Sequence, residues 1–312
     1  MKILITGATG LVGSEIVKLC RKQNIDVNYL TTSKAKIVSE EHYKGYFWNP
    51  RKEEIDLKCF DGVTAIINLA GTSISKRWTK TNKRKILSSR INSIKTLKKG
   101  LEKVDTSAIT SFVSASAIGI YPNSLATYYN EEEKQVDDSF LGEVVYAWEQ
   151  EVDTLSTFNF TVAKVRVGLV LSVNGGMLPK LVKPIKNFVG SAFGSGEQWQ
   201  SWIHLNDLAR IFLFVIKNEL QGVFNGVAPN PISQGKLVKK IGEVLHRPII
   251  LPNIPKPVIQ LFLGEMAYLL FASQRVSSKK IRGEGFSFKY GNICAALEDF
   301  YAKEGEKELH FF

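Results

Sequence analysis

The stretch Met1 to Ser14, MKILITGATGLVGS, decides how the rest of the chain is read. Lys2 to Thr6 carries branched apolar residues like a buried strand, and Gly7, Gly10 and Gly13 follow at three-residue spacing. Val12, Ile16, Val17 and Leu19 then recur with helical periodicity. A strand that turns through glycines into a helix aims free backbone N–H groups, and the positive end of the helix dipole, at one point. A pyrophosphate is the anion such a turn commonly holds. Gly7 permits the tight turn, Gly10 lets a ligand approach the backbone, and Gly13 lets the helix pack close to the strand. Because the triplet follows a strand and opens a helix, it predicts a dinucleotide cradle. Its members are Gly7, Thr9, Gly10, Leu11, Val12 and Gly13.

Asp26 to Thr31 reads as the second strand of a βαβ unit. A carboxylate at its end would accept from a ribose 2′-OH and repel a 2′-phosphate. The chain instead offers Thr31, Thr32, Ser33 and Lys34. Hydroxyls and an ammonium suit a phosphate, so NADP(H) is expected, with NAD(H) as the alternative. No arginine is present there to make a bidentate contact.

Further along, Gly45 to Trp48 predicts a short third strand. Val63 to Leu69 reads as a fully apolar strand of a parallel sheet, ending in Asn68-Leu69-Ala70-Gly71. Small residues there leave room for the adenosine half of a cofactor. Ser111 to Ser116 is the next strand, and Ser114 and Ser116 put hydroxyls at its carboxyl end, where the crevice of such folds lies. Leu141, Val144, Val145, Trp148, Val152 and Leu155 mark a buried helix face, and Val162 to Leu171 a further strand with Lys164 and Arg166. For Arg166, an anion site and a buried carboxylate pair are both open. Beyond Gly175-Gly176 the strand–helix rhythm loosens into a loop-rich lobe. Ser201 to Leu208 predicts a strand turning into a helix that starts near Asn206 or Asp207. The expected architecture is a Rossmann-type doubly wound parallel sheet over residues 1–172, regaining a strand and helix from about 201–228, with a smaller α/β lobe over 173–312.

The 312 residues carry a net charge of +11, which raises the question of nucleic acid. Eleven Lys/Arg fall between Lys76 and Lys103, against one acid, Glu102. Leu87, Ile91, Ile94, Leu97 and Leu101 stripe that segment, so its lysines are expected to be the solvated face of an amphipathic helix. Aromatic residues do not interleave it beyond Trp78, so no nucleic-acid partner is expected. The most apolar later stretch, Val258 to Ala272, is broken by Gly264 and Glu265 and too short to span a bilayer, so no membrane partner is expected. Cys20, Cys59 and Cys294 have no metal or redox spacing, which predicts no metal and a reducing, cytoplasmic setting. The chain is expected to be a monomer or homodimer.

GATGLVG, DGVTAIINLAG, VSASAIGIY and SWIHLNDL occur in the order found in the extended short-chain dehydrogenase/reductase superfamily, which the chain resembles. More closely it resembles the "epimerase family" branch with a C-terminal domain of unknown function. NLAGTSISKRWT, SSRINSIKTL, RVGLVLSVNGGML, GSGEQWQSWIHLNDLAR, FNGVAPNPIS and LGEMAYLL carry that likeness across nearly the whole chain. The resemblance implies NADP binding, with Arg90 among the cofactor contacts, and a substrate pocket shaped by the second lobe. Arg77, Trp78, Gln198, Trp202, His204 and Asn225 are the expected pocket residues, with Gln274 beside them.

One departure is plain. The superfamily's engine is a tyrosine four residues before a lysine on one helix turn, where the ammonium lowers the phenol's pKa. None of the ten tyrosines here is followed by lysine at that spacing. Counting back from Glu149, the two positions fall on Leu141 and Val145. Ser116 occupies the superfamily's catalytic Ser/Thr position, and Tyr121 is the nearest phenol, so these two are the expected catalytic residues. The expected function is an NADP(H)-dependent oxidoreductase or epimerase acting on a small polar substrate, sugar nucleotides included. The alternative is a non-enzymatic NADP-binding redox sensor or assembly factor.

Overall fold

A computed structural model describes residues 1–309, with side chains described through Tyr301. Seven parallel strands form the main sheet: Lys2–Thr6 (β1), Asp26–Thr31 (β2), Tyr43–Asn49 (β3), Ala65–Asn68 (β4), Ser111–Ala117 (β5), Thr161–Val167 (β6) and Gly222–Gly226 (β7). Their order is β7-β6-β5-β4-β1-β2-β3, reversing direction on either side of β1. This is the doubly wound Rossmann arrangement, and its crevice opens outside the carboxyl ends of the strands at the reversal. Two short antiparallel strands, Ser39–Glu40 and Glu54–Ile55, finish the β3 edge.

The helices Leu11–Lys22 (α1), Lys80–Leu101 (α2), Phe140–Asp153 (α3), Leu178–Lys186 (α4), Leu205–Lys217 (α5) and Gln234–Val244 (α6) are the larger ones before residue 250. α1 and α5 cover one face of the sheet through Ile16, Leu19, Leu208, Ile211, Phe212 and Val215. α2 and α3 cover the other through Ile94, Leu97, Leu101, Trp148 and Val152. Along α2 the buried stripe runs through Ile86, Ile94, Leu97 and Leu101, while Leu87 and Ile91 are only partly covered. Lys80, Arg84, Lys85, Lys95 and Lys99 face solvent.

The run read as a single strand from Val162 to Leu171 divides at Gly168. Gly168 N–H donates to Gly226 O, Leu169 N–H to Ser201 O, and Leu169–Leu171 pairs in parallel with Trp202–His204 outside the main sheet. α5 begins one or two residues earlier than expected, at Leu205: its cap is His204, whose Nδ1 accepts from Asn206 N–H at 3.0 Å. The second lobe has its own core, in which Leu178, Leu181, Trp202, Leu237, Ile241, Tyr290 and Leu297 meet. No helix among the described residues is long and apolar enough to cross a membrane.

Candidate cofactor crevice and interlobe cavity

The first turn is built as a cradle. Gly7 sits at φ +71°, and Gly10 N–H donates back to Gly7 O at 2.9 Å. Gly13 lies against that same carbonyl, so a Cβ there would stand 2.2 Å from Gly7 O. The helix cap is Gly10, no side chain caps the free N–H groups, and no acid stands in the first turn. Ser14 N–H to Gly10 O is the first intrahelical bond, so the N–H groups of Leu11, Val12 and Gly13 point outward. Gly175 and Gly176 from the second lobe approach Leu11 from above.

Neighbouring strand ends are stitched to this turn. Thr6 pairs in register with Leu30 on one side and Asn68 on the other, and Asn68 with Ser114. Thr6 Oγ1 donates to Asn68 Oδ1 at 2.7 Å and accepts from Leu69 and Ala70 N–H at 3.0 Å each. Asn68 Nδ2 donates to Ser114 Oγ at 3.1 Å. Thr6, Asn68 and Ser114 are fully buried, so they are a ladder beneath the crevice that shapes the Leu69–Gly71 turn. Arg90 lies under Gly71, donates to Thr72 O and Ile86 O, and stacks on Trp148. Burial lowers its pKa to about 10, so it stays charged at neutral pH. At the end of β2, Thr31 Oγ1 accepts from Ser33 N–H, while Thr32 and Lys34 are exposed.

Ser116 and Tyr121 are placed differently from their expected catalytic roles. Ser116 Oγ donates to Glu149 Oε1 at 2.5 Å. Glu149 also receives Arg166 Nε and Nη2, each at 2.8 Å. Arg166 Nη1 donates to the Tyr121 hydroxyl at 2.9 Å, and that hydroxyl donates to Asn225 Oδ1 at 2.8 Å. Asn225 N–H reaches Glu131 Oε1, and its Nδ2 reaches Ser277 O. Tyr121 is 0% exposed and stacked on Tyr129. Burial pushes its pKa up to about 12 against the opposing pull of Arg166. Its ring is in the core, and the one hydroxyl proton of Tyr121 and that of Ser116 are each spent inside the protein. Asn225 and Arg166 belong to this network too, so Arg166 takes the carboxylate pair and not a free anion. Gln274 Nε2 bonds Tyr121 O at 2.6 Å.

The expected pocket residues divide. Trp202 is a core residue of the second lobe whose Nε1 donates to Asn230 O. His204 stacks between Tyr290 and Phe300 and points Nε2 at Asp299, 3.5 Å away. Burial lowers its pKa, with Asp299 opposing. Gln198 ties Phe193 O to Leu270 O. These three hold the lobe together. Trp78 does line a cavity, its Nε1 bonded to Ile74 O and its ring edge-on to Phe140, while Arg77 sits exposed near Gly264.

That cavity, about 320 Å³, lies between the two lobes at the start of α3. Trp78, Lys83, Asn123, Ser139 and Phe140 form one wall; Lys256, Gln260, Gly264, Glu265, Tyr268 and Phe271 form the other. Tyr268, inside the LGEMAYLL stretch but not among the expected site residues, donates its hydroxyl to both oxygens of Asp137, at 2.9 and 2.8 Å. Burial and then the Asp137 bond raise its pKa well above the ordinary phenol value. Asp137 further accepts from Asn123 and Ser139 N–H. Leu141, at the superfamily's tyrosine position, packs with Trp78, Phe140, Met266, Tyr268 and Leu269. Among the described residues no cluster of His, Cys, Asp or Glu could hold a metal.

A nucleotide-cradling doubly wound sheet with a capping second lobe defines an epimerase-type NAD(P)-binding fold, and the chain belongs to the NAD dependent epimerase/dehydratase family, whose model matches residues 3–225. A domain of unknown function, DUF1731, matches residues 254–300. An epimerase family protein of Staphylococcus epidermidis is 35% identical over 96% of this chain and 98% of its own length. One from Staphylococcus aureus is 36% identical over 96% and 99%. Among solved structures, human epimerase family protein SDR39U1 (isoform 2) with NADPH superposes with a TM-score of 0.85 at 25% identity, covering 97% of this chain and 99% of its own. A nucleoside-diphosphate sugar epimerase from Corynebacterium glutamicum gives 0.76 at 28%, covering 99% of this chain and 61% of its own.

Proposed function

We propose that the protein is an NADP(H)-dependent oxidoreductase or epimerase whose substrate enters the interlobe cavity. The observation that carries this is the uncapped start of α1: three outward N–H groups behind Gly10, with no side chain or acid in the way. Such a terminus fits a pyrophosphate. Thr32, Ser33 and Lys34 supply donors without a carboxylate, which favours the 2′-phosphate form; the human relative solved with NADPH supports the same choice. Bound there, the nicotinamide would take or give a hydride. Asn68, Ser114 and Thr6 fix the turn against which it would lie, and Arg90 holds Gly71 from beneath with Nε and Nη2 making no bond among the described residues. Three unpaired cysteines support a reducing, cytoplasmic setting.

The second reading is a non-enzymatic NADP-binding protein. Internal consumption of the Ser116 and Tyr121 protons, beside Leu141 and Val145 at the dyad positions, favours it. Calorimetric titration with NADPH and NADH, then NADPH oxidation with a panel of carbonyl and sugar-nucleotide substrates, separates the two. NADPH binding without turnover across the panel would favour the second; binding of neither cofactor would overturn both.

A further inference from the structure

The interlobe cavity has a chemistry of its own. Four aromatic rings line it: Trp78 and Phe140 from the nucleotide-binding domain, Tyr268 and Phe271 from the C-terminal domain. Two ammonium groups lie on these rings. Lys83 sits over Phe140 at 5.1 Å, and Lys256 over Phe271 at 5.6 Å. Lys83 pairs with Glu265, whereas Lys256 forms no ion pair among the described residues. Asn123 lines the cavity, and its Oδ1 accepts from Ser273 N–H.

The acid of the lining and the buried Asp137 beneath it do not cancel this. Asp137 is buried, and all its bonds go to the Tyr268 hydroxyl and to the Asn123 and Ser139 N–H groups, so it faces the protein. Glu265 is the only exposed acid of the lining, against two lysines. A volume near 320 Å³ falls at the small end of the range of about 300–1,000 Å³ usual for ligand sites. Flat apolar walls with cations at the rim select a ligand that is flat, apolar and singly charged. A neutral ring would gain nothing from the two ammonium groups, and an aliphatic anion would forgo the ring faces.

We propose that this cavity binds an aromatic carboxylate, its ring between Trp78, Phe140 and Phe271 and its carboxylate on Lys256 and Lys83, and that the C-terminal domain of unknown function exists in part to supply half of this site. The proposal rests on the cavity being the substrate side of the cofactor reading, and it narrows the substrate class. Lys83 and Glu265 then act as a latch, because the arriving carboxylate competes with Glu265 for the same ammonium.

The test is calorimetry on the full chain with 2-naphthoate, its neutral analogue 2-naphthylmethanol, cyclohexanecarboxylate and UDP-glucose, each with and without NADPH. Naphthoate is expected to bind at least tenfold more tightly than the other three. Lys83→Gln combined with Lys256→Gln should weaken it tenfold or more while NADPH binding stays unchanged. Glu265→Gln should tighten it severalfold, a sign that a purely structural ion pair would not give. Naphthylmethanol binding as well as naphthoate, indifference to the lysine substitutions, or tighter UDP-glucose binding would each overturn the ligand class. Loss of NADPH binding in the parent would instead sink the cofactor reading and leave the naphthoate ranking standing.

Discussion

Arg166 and Glu149 meet in a two-pronged pair, Nε and Nη2 each 2.8 Å from a carboxylate oxygen, with both side chains 7% exposed. The pair joins β6 to α3, and through Ser116 and Tyr121 it reaches β5 and β7. Burial alone would raise the Glu149 pKa, but the Arg166 bonds and charge and the Ser116 hydroxyl outweigh it and hold the carboxyl below its ordinary value. Arg166 is correspondingly held in its charged form by the same carboxylate, against its burial.

Breaking this pair from one side should be costly. Arg166→Met leaves a buried carboxylate without its cation and should destabilise by about 3–5 kcal/mol, whereas Arg166→Met with Glu149→Leu should recover most of that loss. Urea unfolding of the three proteins checks the ordering. A folded pKa below the ordinary 4.5 means Glu149 contributes above that pH, and its share is lost as the pH falls through the folded value.

Ser116→Ala and Tyr121→Phe should each cost about 1–3 kcal/mol of stability, because each leaves a buried partner unsatisfied, and neither should alter NADPH affinity. If either lowers turnover many-fold with unchanged stability, its hydroxyl reaches a substrate after all.

His204 gives a pH dependence of known sign. Its folded pKa lies below 6.5, so the unfolded chain binds the extra proton more readily. Its contribution is complete above 6.5 and is lost as the pH falls below that value. Unfolding midpoints measured between about pH 7 and about pH 5 should show this fall, and His204→Asn, which keeps a capping acceptor, should show less of it.

The cofactor turn was legible in the sequence because everything it needs is local: Gly7, Gly10 and Gly13 act within one strand–helix junction. Six of the seven main-sheet strands are read from the same rhythm, whereas the strand expected at Ser201 pairs outside that sheet and Gly222–Gly226 completes it. Residue roles set by distant partners were not legible. Trp202 and His204 resemble pocket residues until Tyr290, Phe300 and Asp299 close on them from almost a hundred positions away. Tyr268 lies within the LGEMAYLL stretch that carries the likeness, but nothing in that stretch names its partner, and only folding brings it onto Asp137. Thr6 looked like the last residue of a strand, yet its hydroxyl organises the Asn68–Ala70 turn.

Gly10→Val should remove NADPH binding and spare the fold. Gly10 has φ −81°, open to any residue, and a Cβ there meets only Gly7 O at 3.2 Å. The branched side chain would instead fill the space in front of the Leu11–Gly13 N–H groups. Gly13→Val, with its Cβ 2.2 Å from Gly7 O, should disrupt the turn itself. Circular dichroism and NADPH titration together distinguish the two. Lys34→Glu should lower NADPH affinity while sparing NADH.

Restoring the missing dyad should fail for a reason visible in the core. Leu141 is partly exposed beside the cavity, so Leu141→Tyr has room for its ring next to Phe140 and Tyr268 and should cost little. Val145 is different. It is 3% exposed and packs among Ile120, Tyr121, Tyr129, Val227 and Val276. An ammonium there would be buried without a carboxylate partner, because Glu149 one turn on is already committed to Arg166 and Ser116. Val145→Lys should therefore destabilise by several kcal/mol, or lower the lysine pKa by several units, far beyond the ~1 kcal/mol typical of a point substitution. Thermal unfolding from pH 6 to about pH 10 reads this directly: the variant's deficit should shrink as the pH rises toward the unfolded lysine's ordinary pKa of about 10.4, because the unfolded chain's advantage in holding the proton fades. A Val145→Lys protein as stable as the parent at neutral pH would mean this position opens to the crevice, and the dyad could then be rebuilt.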